Sequence, residues 1–345
     1  MNRKLLRTTS LVALVAVAAL IGAACSNKKT PTTATSGATT GAATTPAEPF
    51  KVAIVAPSAP NDLAFTQSMV DAVNRLKDQY NLDIAVSDSL FVVEDAAAAI
   101  RDYASKGYDL VIAHGSQFGG SVQEIAADFP DVSFAWGTAG DTFRLPNVFA
   151  YQAASDQGGY VMGQMAAALS QSGVIGMVGP IEVGDAKLYV DGFKNGAVAE
   201  KSTVDVRVNY TGSFSDVALA SEAAKSFVDA GADVMTGSAQ MVVGAVGVAK
   251  ENNVAWFGTQ SNQTSLAPEV VVASQVYHWE VVLSQIIDAI KAGTLGGQTY
   301  NIDLANGGEV IEFNADYALS DEVKAIGDAA VQGIKDGTID TGASA

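Results

Sequence analysis

Several short stretches carry side chains suited to recognising a small molecule. They are Asp62-Leu-Ala-Phe65, His114-Gly-Ser116-Gln117, Trp136, Tyr210-Thr-Gly-Ser-Phe214, Gly237-Ser-Ala-Gln240 and Gly258-Thr-Gln260-Ser-Asn262-Gln263. Aromatic rings stack on flat apolar faces, and amides both donate and accept hydrogen bonds. With few charges among them, this set suits a neutral, planar, hydrogen-bonding ligand. Each residue also has a plainer reading. Asp62 suits the cap of a helix starting near Leu63, and Asp216 the cap of a later one. Phe65, Phe214 and Trp136 suit a core, and His114 suits a strand end bonded to backbone.

The patterns of hydrolases, kinases and metalloenzymes are missing. There is no GxSxG elbow and no P-loop GKS or GKT. The two histidines, His114 and His278, form no HExxH pair, and no pair of carboxylates stands out. The glycines of Gly115-Ser-Gln-Phe-Gly-Gly lack dinucleotide-binding spacing. No catalytic residue, metal ligand or cofactor is assigned.

Cys25 is the single cysteine, which excludes an intramolecular disulfide. Its position points to other chemistry. Arg3, Lys4 and Arg7 precede an uncharged run from Leu11 to Ala24, too short to span a bilayer. The junction Ile21-Gly-Ala-Ala-Cys25-Ser26 is similar to a lipobox, so residues 1–24 read as a signal peptide and Cys25 as the lipidation site. An ordinary secretory signal with an incidental cysteine is the alternative. Residues 25–49, rich in Thr, Ala, Gly and Pro, read as a disordered tether. Lys and Arg number 20 against 37 Asp and Glu, a net charge of −17. That balance argues against nucleic acid as a partner and against adhesion to anionic lipid.

From Lys51 onward, short apolar runs alternate with amphipathic ones. Strands are predicted at Lys51–Ala56, Asp83–Val86, Leu110–Ala113, Val132–Trp136, Val174–Val178, Val204–Val208, Val234–Thr236 and Val254–Phe257. Helices between them include Phe65–Lys77, Ala96–Ser105, Gln157–Leu169, Ala218–Val228 and Val281–Lys291. This alternation predicts an α/β fold with parallel sheets covered on both faces. The chain also repeats: Asp83 to Asp109 and Asp205 to Asp233 each run strand, Ala-rich helix, Gly-x-Asp, with Gln117 and Gln240 following. Two similar halves predict two lobes facing a cleft. In such sheets ligands bind beyond the carboxyl ends of the strands, where the stretches above lie.

Further motifs carry a family resemblance: Asp62-x-x-Phe65, Gly107-Tyr-Asp-Leu-Val-Ile, Phe129-Pro-Asp-Val-Ser-Phe134, Gln157-Gly-Gly-Tyr-Val-Met-Gly163, Gly173-Val-Ile-Gly-Met-Val-Gly179, Gly192-Phe-x-x-Gly196-Ala and Gly231-Ala-Asp233-Val. In order and spacing, from about Lys51 to Gly293, the chain resembles the Bmp (basic membrane protein) family of substrate-binding lipoproteins. The resemblance implies a periplasmic-binding-protein type I fold, two doubly wound lobes around a hinge cleft. One lobe would be 50–153 plus about 259–293, the other 154–258 plus about 294–340. It implies a purine nucleoside or base as ligand, stacked by Phe65 and Phe214, and delivery to an ABC permease. Where the family's segment reads Gly-x-Asp-x-Asp-Gln, this chain has Gln260 and Asn262 in place of the two acids. A free base, another heterocycle, or a small sugar or furanose signal therefore stay open. So do a ligand sensor and, from another class, a membrane-tethered hydrolase.

Overall fold

The computed structural model describes residues 48–343, so Cys25 and the leading segment lie outside the described residues. The first lobe is built from β1 (Phe50–Val55), α1 (Phe65–Tyr80), β2 (Leu82–Ser87), α2 (Val93–Ser105), β3 (Leu110–His114), α3 (Gly119–Asp128), β4 (Ser133–Gly137) and β5 (Val148–Ala153). The second holds α4 (Ser155–Leu169), β6 (Val174–Gly179), α5 (Gly184–Glu200), β7 (Asp205–Tyr210), α6 (Val217–Asp229), β8 (Val234–Gly237), α7 (Val243–Glu251), β9 (Ala255–Gln260) and β10 (Val271–Tyr277). The chain then returns to the first lobe with α8 (Glu280–Lys291) and β11 (Thr299–Ile302). It ends on the second with β12 (Glu309–Phe313) and α9 (Asp321–Lys335).

Two six-stranded sheets result, ordered β11-β5-β4-β3-β1-β2 and β12-β10-β9-β8-β6-β7. Every pairing is parallel except that of β12 with β10. Strands β3, β4 and β9 are buried along their whole length. Each sheet carries a hydrophobic cluster on both faces, as their continuous apolar runs require.

All eight predicted strands and all five predicted helices are present. The lobe boundaries differ from expectation. β10 pairs in parallel with β9, Gln275 opposite Thr259, so the chain leaves the second lobe after Tyr277 rather than near Gly258. β11 extends the first sheet beside β5, so the last crossing follows Ile302 rather than Gly293. The three crossings lie at 153–155, 277–280 and 302–309.

The internal repeat is structural. Gly107 and Gly231 end α2 and α6 with positive φ, the left-handed turn that lets the chain fold back. The aspartates that follow each bond the backbone at or just before the first strand of their own lobe. The Asp109 carboxylate accepts from the Lys51 amide at 2.7 Å beside β1. Asp233 accepts from the Gln171 and Ser172 amides at 2.8 Å just before β6. The next loops hold Gln117 and Gln240 in matching 3-10 turns, Ser116–Phe118 and Gln240–Val242.

Helices α4 and α5 cross with their backbones in contact, and the motif glycines allow it. A Cβ on Gly196 would lie 2.0 Å from the Tyr160 carbonyl oxygen, and one on Gly163 would lie 2.1 Å from that of Phe193. Gly192 meets Asp156 in the same way. This contact sets where the first turn of α5 points, into the space between the lobes.

Candidate functional site

Between the lobes lies a cavity of about 40 Å³, partly open to solvent. Phe65, Ser116 and Gln117 line it from the first lobe, and Phe214, Gln240 and Gln260 from the second. All six belong to the set expected from sequence. They meet because every contributing loop follows the carboxyl end of a strand, and the two sheets present those ends to one another.

Phe65 opens α1 and is half-buried. Its ring lies flat on the imidazole of His114, centroids 3.8 Å apart and planes 11° from parallel. His114, the last residue of β3, is fully buried, and its ring nitrogens lie 2.8 Å from the Tyr151 hydroxyl and 3.1 Å from the Phe65 carbonyl oxygen. Burial pushes its pKa down to about 3, with the Phe65 bond opposing only partly. The imidazole is therefore neutral at physiological pH. Phe214, on the loop after β7, is tied by a bond from the Met241 amide to its carbonyl at 3.1 Å.

Two cavity-lining amides each hold a buried atom without a hydrogen-bond partner, Gln240 Nε2 and Gln260 Oε1. Both residues line the cavity, and buried polar atoms are rarely left unpaired.

Four expected residues stand apart from the cavity lining. The Asp62 carboxylate is consumed by its own turn, accepting from the amides of Ala64, Thr66 and Gln67 and from the Ser58 hydroxyl. This is the capping reading. His114 backs Phe65 from within the sheet. Trp136 packs behind the loop, donating to the Gly115 carbonyl at 3.2 Å and stacking on Phe143. Asn262 is exposed and bonded to Glu312 and to the Thr264 amide.

The loop after β6 supplies residues that the sequence reading did not single out. Val183, Gly184 and Asp185 line the cavity, with Thr138 opposite them. The strand-end rule that selects the other loops covers this one too, and the run Pro180-Ile-Glu-Val-Gly-Asp185 follows Gly179 directly. Asp185 is 8% exposed, and its Oδ2 lacks a partner. Burial raises its pKa to about 7, which the nearby Thr138 hydroxyl and Ala153 amide only partly offset.

On one side the lobes touch directly. The Ser261 hydroxyl donates to the Ala64 carbonyl at 2.8 Å, and Gln263 Nε2 donates to that of Leu63 at 3.2 Å. The cleft is thus held together by bonds between the loop after β9 and the loop before α1. Among the described residues no group of His, Cys, Asp or Glu is placed to hold a metal ion. Nor is any helix there long and apolar enough to cross a membrane.

Two α/β lobes, three crossings and a polar-aromatic cavity between strand ends define a solute-binding protein of the periplasmic type I fold. Within that class, residues 50–340 match the family model Bmp, the PnrA-like ABC transporter substrate-binding proteins, and the chain belongs to that family. It is 25% identical over 296 residues to a purine-binding protein of Brucella abortus, covering 85% of this chain and 83% of that one. It is also 25% identical over 273 residues to the transcriptional activator protein Med of Bacillus subtilis, covering 79% and 84%. An ABC transporter solute-binding protein of Conexibacter woesei superposes with a TM-score of 0.69 at 26% identity, covering 84% of this chain and 97% of that one.

Proposed function

We propose that this substrate-binding protein captures a purine nucleoside, a purine base or a related flat heterocycle in the inter-lobe cavity for an ABC permease. The observation that carries the reading is the pair of aromatic rings on opposite lobes. Phe65 is rigidly backed by His114 and Phe214 faces the same cavity, while Gln240 and Gln260 offer an unpartnered donor and acceptor. Ser116 and Gln117 add polar contacts from the first lobe. Stacking between such rings suits a π-face, and the amides suit a base edge that both donates and accepts. The purine-binding relative from Brucella abortus points the same way.

The protein works outside the cytoplasm, as ABC substrate-binding proteins do. Cys25 carries the lipid that keeps it at the membrane, and more than one acyl chain makes such anchoring stable. Ligand favours the closed arrangement of the lobes, which the permease recognises.

The test is mass spectrometry of ligand carried through purification, then calorimetry with purine bases, purine nucleosides and pentoses. Binding of purines in preference to pentoses is expected. Tight binding of a pentose or furanose with no response to any purine would overturn the reading, and turnover of a bound compound would favour the hydrolase class.

A further inference from the structure

The acid on the second lobe's wall adds a requirement that the aromatic clamp and the amides do not impose. We propose that Asp185 is a specificity-determining residue that accepts a hydrogen bond from an N–H of the bound heterocycle, giving up its own proton as the ligand enters. The inference rests on the heterocycle reading and deepens it.

Three observations place Asp185 in this role. It sits in the first turn of α5 and lines the cavity. Its position is fixed from behind, because its own carbonyl accepts from the Ser155 hydroxyl at 2.6 Å. Its Oδ2 is buried and has no partner in the protein. An unpartnered, nine-tenths buried carboxyl oxygen on a ligand cavity is costly unless the occupant bonds to it.

Among the described residues, the groups that act electrostatically on Asp185 are acids and phenols. The titratable groups coupled to Asp185 are Asp156 on α4, Tyr151 on β5, Tyr277 on β10 and Glu309 at the start of β12. Burial pushes both tyrosines and Glu309 well above their ordinary values, which keeps the tyrosines neutral. The empty cleft therefore holds Asp185 near its protonation midpoint at neutral pH. A ligand N–H stabilises the ionised form, because a hydrogen bond to a carboxylate is stronger than one to a neutral acid. The proton leaves the carboxyl for solvent as that bond forms. A ligand whose edge lacks an N–H leaves Oδ2 unpaired and is rejected, the asymmetry by which buried polar groups enforce selectivity.

Calorimetry of guanosine, inosine and adenosine, and of an N-methylated purine without N–H donors, tests this from pH 5 to 8.5 in buffers of different ionisation enthalpy. Affinity for the donor-bearing purines should fall about tenfold per pH unit below 7. Binding near pH 6 should release up to one proton, and the N-methylated purine should bind weakly at pH 8, where the acid is ionised. Asp185→Asn should remove both the pH dependence and the proton release, and lower affinity at pH 8 at least tenfold. Asp156→Asn, which removes a coupled acid, should keep the proton release but move its midpoint to lower pH. Thermal melting confirms that each variant is folded; if Asp185→Asn does not fold, the proton release of the wild-type protein decides alone. Purine binding without proton release or pH dependence overturns the role of Asp185 and leaves the heterocycle reading standing. No binding of any purine overturns the heterocycle reading, and this inference with it.

Discussion

Phe65 and His114 form one flat platform, two rings 3.8 Å apart and 11° from parallel, with the imidazole wedged between the phenyl ring and the Tyr151 hydroxyl. One face of Phe65 is thereby occupied, and the other is the face available to the cavity. Phe65→Ala and Phe214→Ala should each weaken ligand binding by about 1–3 kcal/mol, roughly tenfold to 200-fold. The two losses should be non-additive in a double-mutant cycle, since both rings act on one ligand. A core role would instead cost roughly 3–5 kcal/mol of stability in the ligand-free protein. Variants that melt far lower yet bind normally while folded would defeat the clamp.

His114 makes the platform sensitive to acid. Its folded pKa of about 3 lies below its ordinary value of 6.5. The unfolded chain therefore binds the proton first. The stabilisation is complete above pH 6.5 and is lost as pH falls from there toward 3, with a ceiling of about 5 kcal/mol. Asp185 has the opposite sign: its raised pKa gives stability at low pH that is lost as pH rises through 7. The two partly cancel in the wild-type protein near pH 5. His114→Gln should separate them, melting progressively closer to, or above, the wild type as the pH is lowered. A difference in melting temperature that is constant from pH 4 to 8 would show that His114 does not titrate between the folded and unfolded states.

The α4–α5 crossing offers a packing test. Gly196 has no room for a side chain, because the obstructing atom is the Tyr160 backbone and cannot rotate away. Gly196→Ala should destabilise by roughly 3 kcal/mol. Gly247 lies within α7 and a Cβ there meets nothing within 4 Å. Gly247→Ala should therefore stabilise by about 0.5–1 kcal/mol through helix propensity. Equal effects of the two substitutions on urea midpoints would refute the close-approach argument.

Much of this layout was legible before any coordinates. Buried parallel strands announce themselves as apolar runs, and the Gly-x-Asp repeat marks two halves whose aspartates each bond backbone at or just before a first strand. β10 and β12 were harder to read, because their burial is satisfied by polar pairing. Gln275 and Glu309 bond one another inside the sheet, a contact between residues 34 apart with no periodic signature. Asp62 and Phe65 carried equal promise in sequence, yet the carboxylate turns back to cap its own helix while the ring reaches the cavity. Asp185 has no signature in sequence, because a single acid in a first helical turn reads as an ordinary complement to the helix dipole. Its significance comes from burial between the lobes, which depends on elements distant in sequence.

The anchor is tested separately from the fold. Cys25→Ser should move the protein from the membrane fraction to the soluble extracytoplasmic fraction with unchanged ligand affinity. A variant that stays firmly membrane-bound would defeat the lipid-anchor reading.

Ser261 tests closure. Its hydroxyl is buried and bonds the Ala64 carbonyl of the opposite lobe, while Gln263 makes a parallel bond to Leu63. These bonds exist only with the lobes together, so they favour the closed arrangement over an open one and contribute nothing within either lobe. Ser261→Ala removes one of them at a cost of about 1 kcal/mol to the closed state. The closed population of the free protein falls, and the observed affinity falls in proportion, because ligand must make up the difference. A loss of about fivefold, carried mainly by faster dissociation, is expected, with little change in the melting temperature of the ligand-free protein. Small-angle scattering should show a larger radius of gyration for the free variant than for the free wild type, and the two should coincide once saturated with ligand. A variant with wild-type dissociation rate and wild-type scattering would show that the lobes do not part at this contact.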